Sequence, residues 1–350
     1  MLEISTFSFI QTLLDDGVRG GAFPSAVASV GYRDEPPLLF ASGGADIATR
    51  FDMASCTKAF AATPLSLLAI EDGDLTLFDT ISRFFPDAPP DKSGITILRL
   101  LTHTSGFTPH YHIQDDTDDP ARVIESILRS PLLDQPEGTP AYSCIGFILL
   151  GKILEKIYGA GLDELSDARV FKPLGMRNTS YNPTGVNIAP TETDAETGTA
   201  WRGIVHDENA RFLGGVSANA GIFSDIADTS RYCAMLANDG EGFLAEATLR
   251  KATRNYTPGH DTHRGLGFHL AGSPLNYMGD LFPPESFGHT GFTGTCFAVD
   301  PYTGFYATLL TNRVHPTRAN EKILRFRRVF HNRIYAAFSR VSNQTKGLRC

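Results

Sequence analysis

Cysteine, tryptophan and concentrated positive charge are all scarce in this chain of 350 residues. The five cysteines, Cys56, Cys144, Cys233, Cys296 and Cys350, show neither C-x-x-C nor metal-type spacing. An odd, scattered set argues against a disulfide framework and fits reduced thiols in a reducing compartment. No uninterrupted apolar run approaches the length of a membrane-spanning helix. The first sixteen residues lack a basic segment and space their apolar residues as a helix does, so they read as the first helix of the fold rather than a signal peptide. That reading points to the cytoplasm. With a net charge of −8 and no Lys/Arg cluster among aromatics, the chain offers no basic face for phosphate backbones, which argues against a nucleic-acid partner. Repeats and low-complexity tracts are missing as well. What is present is a hydrophobic content of 42%, enough for one large or two intimately packed domains.

Residues 25–31 and 38–43 are short β-rich runs separated by Asp34-Glu35-Pro36-Pro37, the pattern of a hairpin. A helix carrying Ser55 and Lys58 follows and runs to about Glu71, where Asp72-Gly73 supplies a stop. Between Leu75 and Leu213, helical stretches alternate with loops rich in Pro, Gly and Asp; residues 146–158 and 162–170 are the clearest helices, and 179–199 reads as a long polar loop. Strands resume at 265–270, around His289, at 295–300 and at 305–312, before an amphipathic basic helix over 320–339 and a polar, mobile tail from Val341. Strands thus come from both chain ends and helices from the middle. This pattern predicts an α/β (α+β) fold: an antiparallel sheet domain of residues 1–74 and 214–340, with a mainly helical insertion over 75–213.

The run Phe51-Asp52-Met53-Ala54-Ser55-Cys56-Thr57-Lys58 sets a serine three residues before a lysine, where an apolar helical pattern begins. Residues at i and i+3 share a helix face, so the hydroxyl and the amine can meet. A serine hydroxyl needs a base to become a nucleophile, and the positive end of a helix favours an oxyanion forming beside it. Two later segments join this one: Ala141-Tyr142-Ser143-Cys144, just ahead of an apolar helix, and Phe287-Gly288-His289-Thr290-Gly291, on a strand. In this order the three segments resemble the S-x-x-K, Y-x-N and H-T-G motifs of the serine β-lactamase and penicillin-binding protein superfamily, closest to its class C, family VIII esterase and D-aminopeptidase branch. The second matches only at its tyrosine, because Cys144 stands where relatives usually carry Asn or Asp. Residues 100–107, 171–176, 188–192, 203–210 and 214–223 are also similar to family segments. The run Val205-His206-Asp207-Glu208-Asn209-Ala210 is similar to a subgroup that includes amidases of N-acetylmuramoyl-L-alanine bonds.

The resemblance implies a β-lactamase-like fold and a two-step acyl transfer, with Ser55 as nucleophile and either Lys58 or Tyr142 as principal base. By the family pattern, the N–H groups of Ser55 and Phe292 form the oxyanion hole. His289, with Thr290 and Gly291, would bind a substrate carboxylate or the Tyr142 hydroxyl, its charge changing near physiological pH. His206 would order a loop beside the pocket, and Cys144 would offer substrate a weaker donor than Asn. Trp201 is either a pocket wall or a packing residue. The histidines of 110–112 with Asp115-Asp116, and His206-Asp207-Glu208, match no metal signature such as H-E-x-x-H, so no metal is expected, and no cofactor is required. The expected substrate is a cell-wall-derived amide or D-amino-acid peptide. The alternatives are a carboxylic ester or β-lactam, or, in a different class, a penicillin-recognising protein that binds with little turnover.

Overall fold

The computed structural model describes residues 2–109, 111–135, 137–274 and 276–347. Among them the strands are β1 Ala26–Tyr32, β2 Leu38–Ser42, β3 Phe51–Asp52, β4 Ser180–Tyr181, β5 Ile222–Ser224, β6 His269–Leu270, β7 Phe287–Thr290, β8 Cys296–Val299 and β9 Phe305–Thr311. Six of them form an antiparallel sheet in the order β2-β1-β9-β8-β7-β6, so the expected sheet of both chain ends is present. Ala28 of β1, for example, lies between Phe40 of β2 and Leu309 of β9.

Alternation along β1 shows how this sheet is covered. Ala26, Ala28 and Val30 pack with Phe7, Ile10, Phe330 and Ile334 from the terminal helices, whereas Val27 joins Phe60, Phe297 and Leu310 in the larger core. Both faces are therefore dry, and each large apolar side chain so buried contributes about 1.5–3 kcal/mol. A second sheet, β3-β5-β4, stands beside the first and carries the chain into the serine turn.

Three local expectations change. Residues 265–270 are not one strand: only His269–Leu270 pairs with β7, and Arg264 bridges back to His269 across a tight reversal. Gly267 makes that reversal possible, since its φ is +73° and a Cβ there would lie 1.8 Å from Thr63 Oγ1. The polar segment 179–199 contributes β4 rather than loop alone. The C-terminal helix runs Lys322–Gly347, past the point where a tail was expected, because no proline or glycine interrupts it before Gly347.

Candidate active site

β3 delivers the chain to Ser55 through a turn in which Ala54 is left-handed, with φ +46°. A non-glycine residue in that region is strained and needs holding. Asp52 holds it: the buried carboxylate accepts from Ala54 N–H at 2.8 Å and from His206 N–H at 2.7 Å. Burial raises the Asp52 pKa to about 6, against the pull of those two donors. The serine helix then opens with a wide π-turn, Lys58–Ala62, in which Thr63 N–H reaches back to Lys58 C=O. Pro64, which has no N–H to give Phe60, accounts for the change of register.

Lys58 is fully buried, and its ammonium finds three acceptors: Ser55 Oγ at 3.2 Å, Cys144 Sγ at 3.5 Å and Asn219 C=O at 2.9 Å. Three donors are all that a lysine has. Asn219 is fixed in turn by Asp207, which accepts from Asn219 Nδ2 at 3.0 Å and also caps the helix Glu208–Phe212. Burial works against charge on Lys58, but attraction to Cys144 and Tyr142 outweighs it and raises the pKa. The sulfur of Cys144, expected as a donor to substrate, is thus engaged as an acceptor from Lys58.

Tyr142 sits just before the helix Cys144–Tyr158, whose Ser143 N-cap accepts from Gly146 N–H at 3.4 Å. His103, itself left-handed at φ +55°, pins both flanks of the tyrosine: its C=O accepts from Ala141 N–H at 2.8 Å and its Nδ1 from Ser143 N–H at 3.1 Å. The Tyr142 hydroxyl is buried without a hydrogen-bond partner, and Lys58 Nζ lies 4.9 Å from the ring centroid. Burial raises the phenol pKa, and the opposing pull of Lys58 does not cancel it.

The turn after β7 completes the cleft. Thr293 and Thr295 donate their hydroxyls to Asp52 C=O at 2.7 Å and Met53 C=O at 3.0 Å, docking this turn against the serine turn. Gly291 is needed for the approach, since a Cβ there would come within 2.4 Å of Met53 O. Arg327 of the C-terminal helix donates to the carbonyls of Gly291 (2.7 Å) and Thr295 (3.0 Å), and Arg313 Nε donates to Phe292 C=O at 2.7 Å. In a trans peptide, C=O and N–H point opposite ways, so the grip of Arg327 on Gly291 C=O turns Phe292 N–H away from the helix. Among the described residues, neither Phe292 N–H nor Ser55 N–H donates to a protein group.

Ser55, Tyr142, His289, Thr290, Gly291 and Phe292 all line one cleft of about 390 Å³. His289 differs from expectation. Its Nδ1 lies 2.8 Å from Thr290 C=O and must be the protonated nitrogen, leaving Nε2 as an unpartnered acceptor. Burial, then Lys58 and Arg264, push its pKa well below the ordinary histidine value, so it is neutral where a titrating cation was expected. His206 lies behind the cleft rather than in it, bonded to Glu192 at 2.9 Å and stacked on the Phe292 ring at 5.6 Å. Trp201 packs under Arg211, 4.5 Å from its guanidinium carbon. His110 lies outside the described residues, and among those described no three His, Cys, Asp or Glu side chains gather as a metal would need. Sequence reasoning missed Asp52, His103, Arg264, Arg313 and Arg327. His103 lay within residues 100–107, noted only as similar to a family segment, and the arginines carried no motif.

A model of the beta-lactamase family matches residues 10–331. A protein of Salmonella enteritidis PT4 (strain P125109) described as "Putative D-alanyl-D-alanine carboxypeptidase" is 32% identical over 314 residues, covering 79% of this chain and 72% of that one. Among solved structures, EstCE1, a hydrolase with promiscuous acyltransferase activity, superposes with a TM-score of 0.75 at 22% identity, over 95% of this chain and 98% of that one. The D-amino acid amidase of Ochrobactrum anthropi SV3, complexed with D-phenylalanine, gives 0.73 at 23% identity, over 97% and 99%. These two likenesses establish the fold. By the family match and the identity to the Salmonella protein, the chain belongs to the beta-lactamase family and is an enzyme of its serine acyl-hydrolase class.

Proposed function

We propose that Ser55 is the nucleophile of a two-step acyl transfer, with Lys58 and Tyr142 sharing its proton. Ser55 Oγ bonds to the carbonyl carbon of an amide or ester while its proton passes into the Lys58–Tyr142 pair. The oxyanion is received by the N–H groups of Ser55 and Phe292. The C–N or C–O bond then breaks, the pair returns the proton to the leaving group, and water releases the acyl group by the same steps in reverse order. The observation that carries this reading is the 3.2 Å contact of Lys58 Nζ with Ser55 Oγ, in a cleft that also holds the unpartnered Tyr142 hydroxyl.

The substrate we favour is a cell-wall-derived amide or a D-amino-acid peptide. The description of the Salmonella relative supports it, as does the run from Val205 to Ala210. A small ester is the second reading, favoured by Cys144, whose sulfur gives substrate no amide donor. A cytoplasmic setting is supported by Cys56, Cys144, Cys233 and Cys296, all free thiols. The test is Ser55→Ala, assayed with p-nitrophenyl acetate and an N-acyl-D-alanyl-D-alanine peptide. A loss of at least about 10³-fold in kcat/KM with an unchanged melting temperature is expected, whereas activity within about tenfold removes Ser55 as nucleophile.

A further inference from the structure

His206, Asp207 and Asn209, from the run of residues 205–210, each tie down a different segment of the protein. His206 donates its N–H to Asp52 at 2.7 Å, just ahead of the serine turn, and Asn209 accepts from Ile113 N–H at 2.9 Å while donating to Tyr111 C=O at 2.8 Å. Asp207, between them, reaches toward the base. Its Oδ1 accepts from Asn219 Nδ2 at 3.0 Å, and Ser217 donates to Asn219 Oδ1 at 2.7 Å, so both ends of this fully buried amide are taken. The backbone carbonyl of the same Asn219 accepts from Lys58 Nζ at 2.9 Å. That carbonyl cannot leave the ammonium without breaking the hold of Asp207 and Ser217 on the side chain.

A buried ammonium needs a compensating charge as well as acceptors. The neighbours of Lys58 offer few. Burial keeps His103, His269 and His289 neutral and pushes the Cys56 thiol up to about 12, while Arg264, across the Tyr142 ring from Lys58, carries charge of the same sign. Cys144 and Tyr142 attract the ammonium most strongly, followed by Asp207. A thiol or a phenol attracts as an ion only after it has lost its proton, whereas a carboxylate is an ion across the neutral range. Asp52 is a second carboxylate nearby, but burial, aided by repulsion from Asp207, raises its pKa to about 6.

We propose that Asp207 is a positioning residue for Lys58: through Asn219 it fixes the carbonyl on which the ammonium is seated, and its carboxylate supplies the standing negative charge opposite that ammonium. The proposal rests on the acyl-transfer reading above, in which Lys58 shares the Ser55 proton, and it gives residues 205–210 a task in the chemistry itself.

The test uses the full chain hydrolysing p-nitrophenyl acetate over a pH series, with the buffer rate subtracted. Asn caps a helix as well as Asp does, so Asp207→Asn keeps the cap on Glu208–Phe212 and an acceptor for Asn219 while removing the charge. Loss of that charge disfavours the ammonium, and the rising limb of kcat/KM should move at least about 0.5 pH unit toward lower pH. Asp207→Glu, which restores the charge, should reverse most of that shift. Asn219→Ala keeps the charge but removes the anchor, so kcat should fall at least about fivefold while the limb stays in place. A merely structural role lowers the whole profile and moves no limb. A smaller shift in Asp207→Asn, an equal shift in Asp207→Glu, or a smaller loss in Asn219→Ala overturns the proposal, and the last decides even where the Asp207 variants do not fold. Ester hydrolysis that is absent from the wild type, or that persists in Ser55→Ala, overturns the acyl-transfer reading instead and takes the proposal with it.

Discussion

Lys58 and Tyr142 hold their protons at neutrality for different reasons. The amine keeps its proton because attraction to Cys144 and Tyr142 outweighs its burial and raises its pKa; the phenol keeps its proton because it is buried. The form able to accept the Ser55 proton is therefore a minority at neutral pH and grows as pH rises. For an uncharged ester, kcat/KM should climb steadily from about pH 7 toward about pH 9.5, with no limb near the histidine range, because His289 is neutral throughout. A stopped-flow or plate-reader pH series checks this, and a profile flat over that range contradicts it. At this scale the sequence was legible where reactive residue types stood in an ordered motif: Ser55, Lys58, Tyr142 and His289 line or adjoin one cleft. The charge state of His289 was not legible, because it depends on burial and on Arg264, which lies 25 residues earlier in the chain.

The helix Lys322–Gly347 was visible as an amphipathic basic segment, and basic residues on such a helix read as a solvated face. Arg327 instead points inward, is buried, and grips the carbonyls of Gly291 and Thr295. Periodicity cannot distinguish an arginine that reaches water from one that reaches a carbonyl across the fold. If Arg327 orients the Gly291–Phe292 peptide, then Arg327→Met should lower kcat by about 10–100-fold with a smaller change in KM, the pattern of a lost oxyanion donor. Arg327→Lys should recover part of the rate. A kcat within about threefold of the wild type, or a loss confined to KM, argues that the arginine only stabilises the fold. The hairpin at Gly265–Phe268 teaches the same lesson from the opposite side: its residues read as a strand by composition, but Gly267 reverses the chain and so brings Arg264 and His269 to one face.

Across the whole molecule, the cleft is assembled from parts far apart in sequence: the serine turn after β3, the Tyr142 loop before its helix, the Asn219 carbonyl, the Arg264 hairpin, the β7 turn and the C-terminal helix. Strands from both chain ends were legible as short β-rich runs set off by turn residues, and their order in the sheet came only with the fold, since antiparallel pairing of β1 with β9 joins residues nearly three hundred positions apart. Asp52 and His103, which hold the nucleophile turn and the Tyr142 loop, act through backbone N–H and C=O groups that no side-chain motif records. The central claim is that all these parts converge on a covalent chemistry at Ser55. Its most direct test is to quench the enzyme during turnover of a slow ester, or after reaction with a fluorescent phosphonate, and to map the adduct by intact-protein and peptide mass spectrometry. One added group per chain on the peptide containing Ser55, absent in Ser55→Ala, is the predicted result; an adduct on any other residue, or equal labelling of Ser55→Ala, contradicts the account.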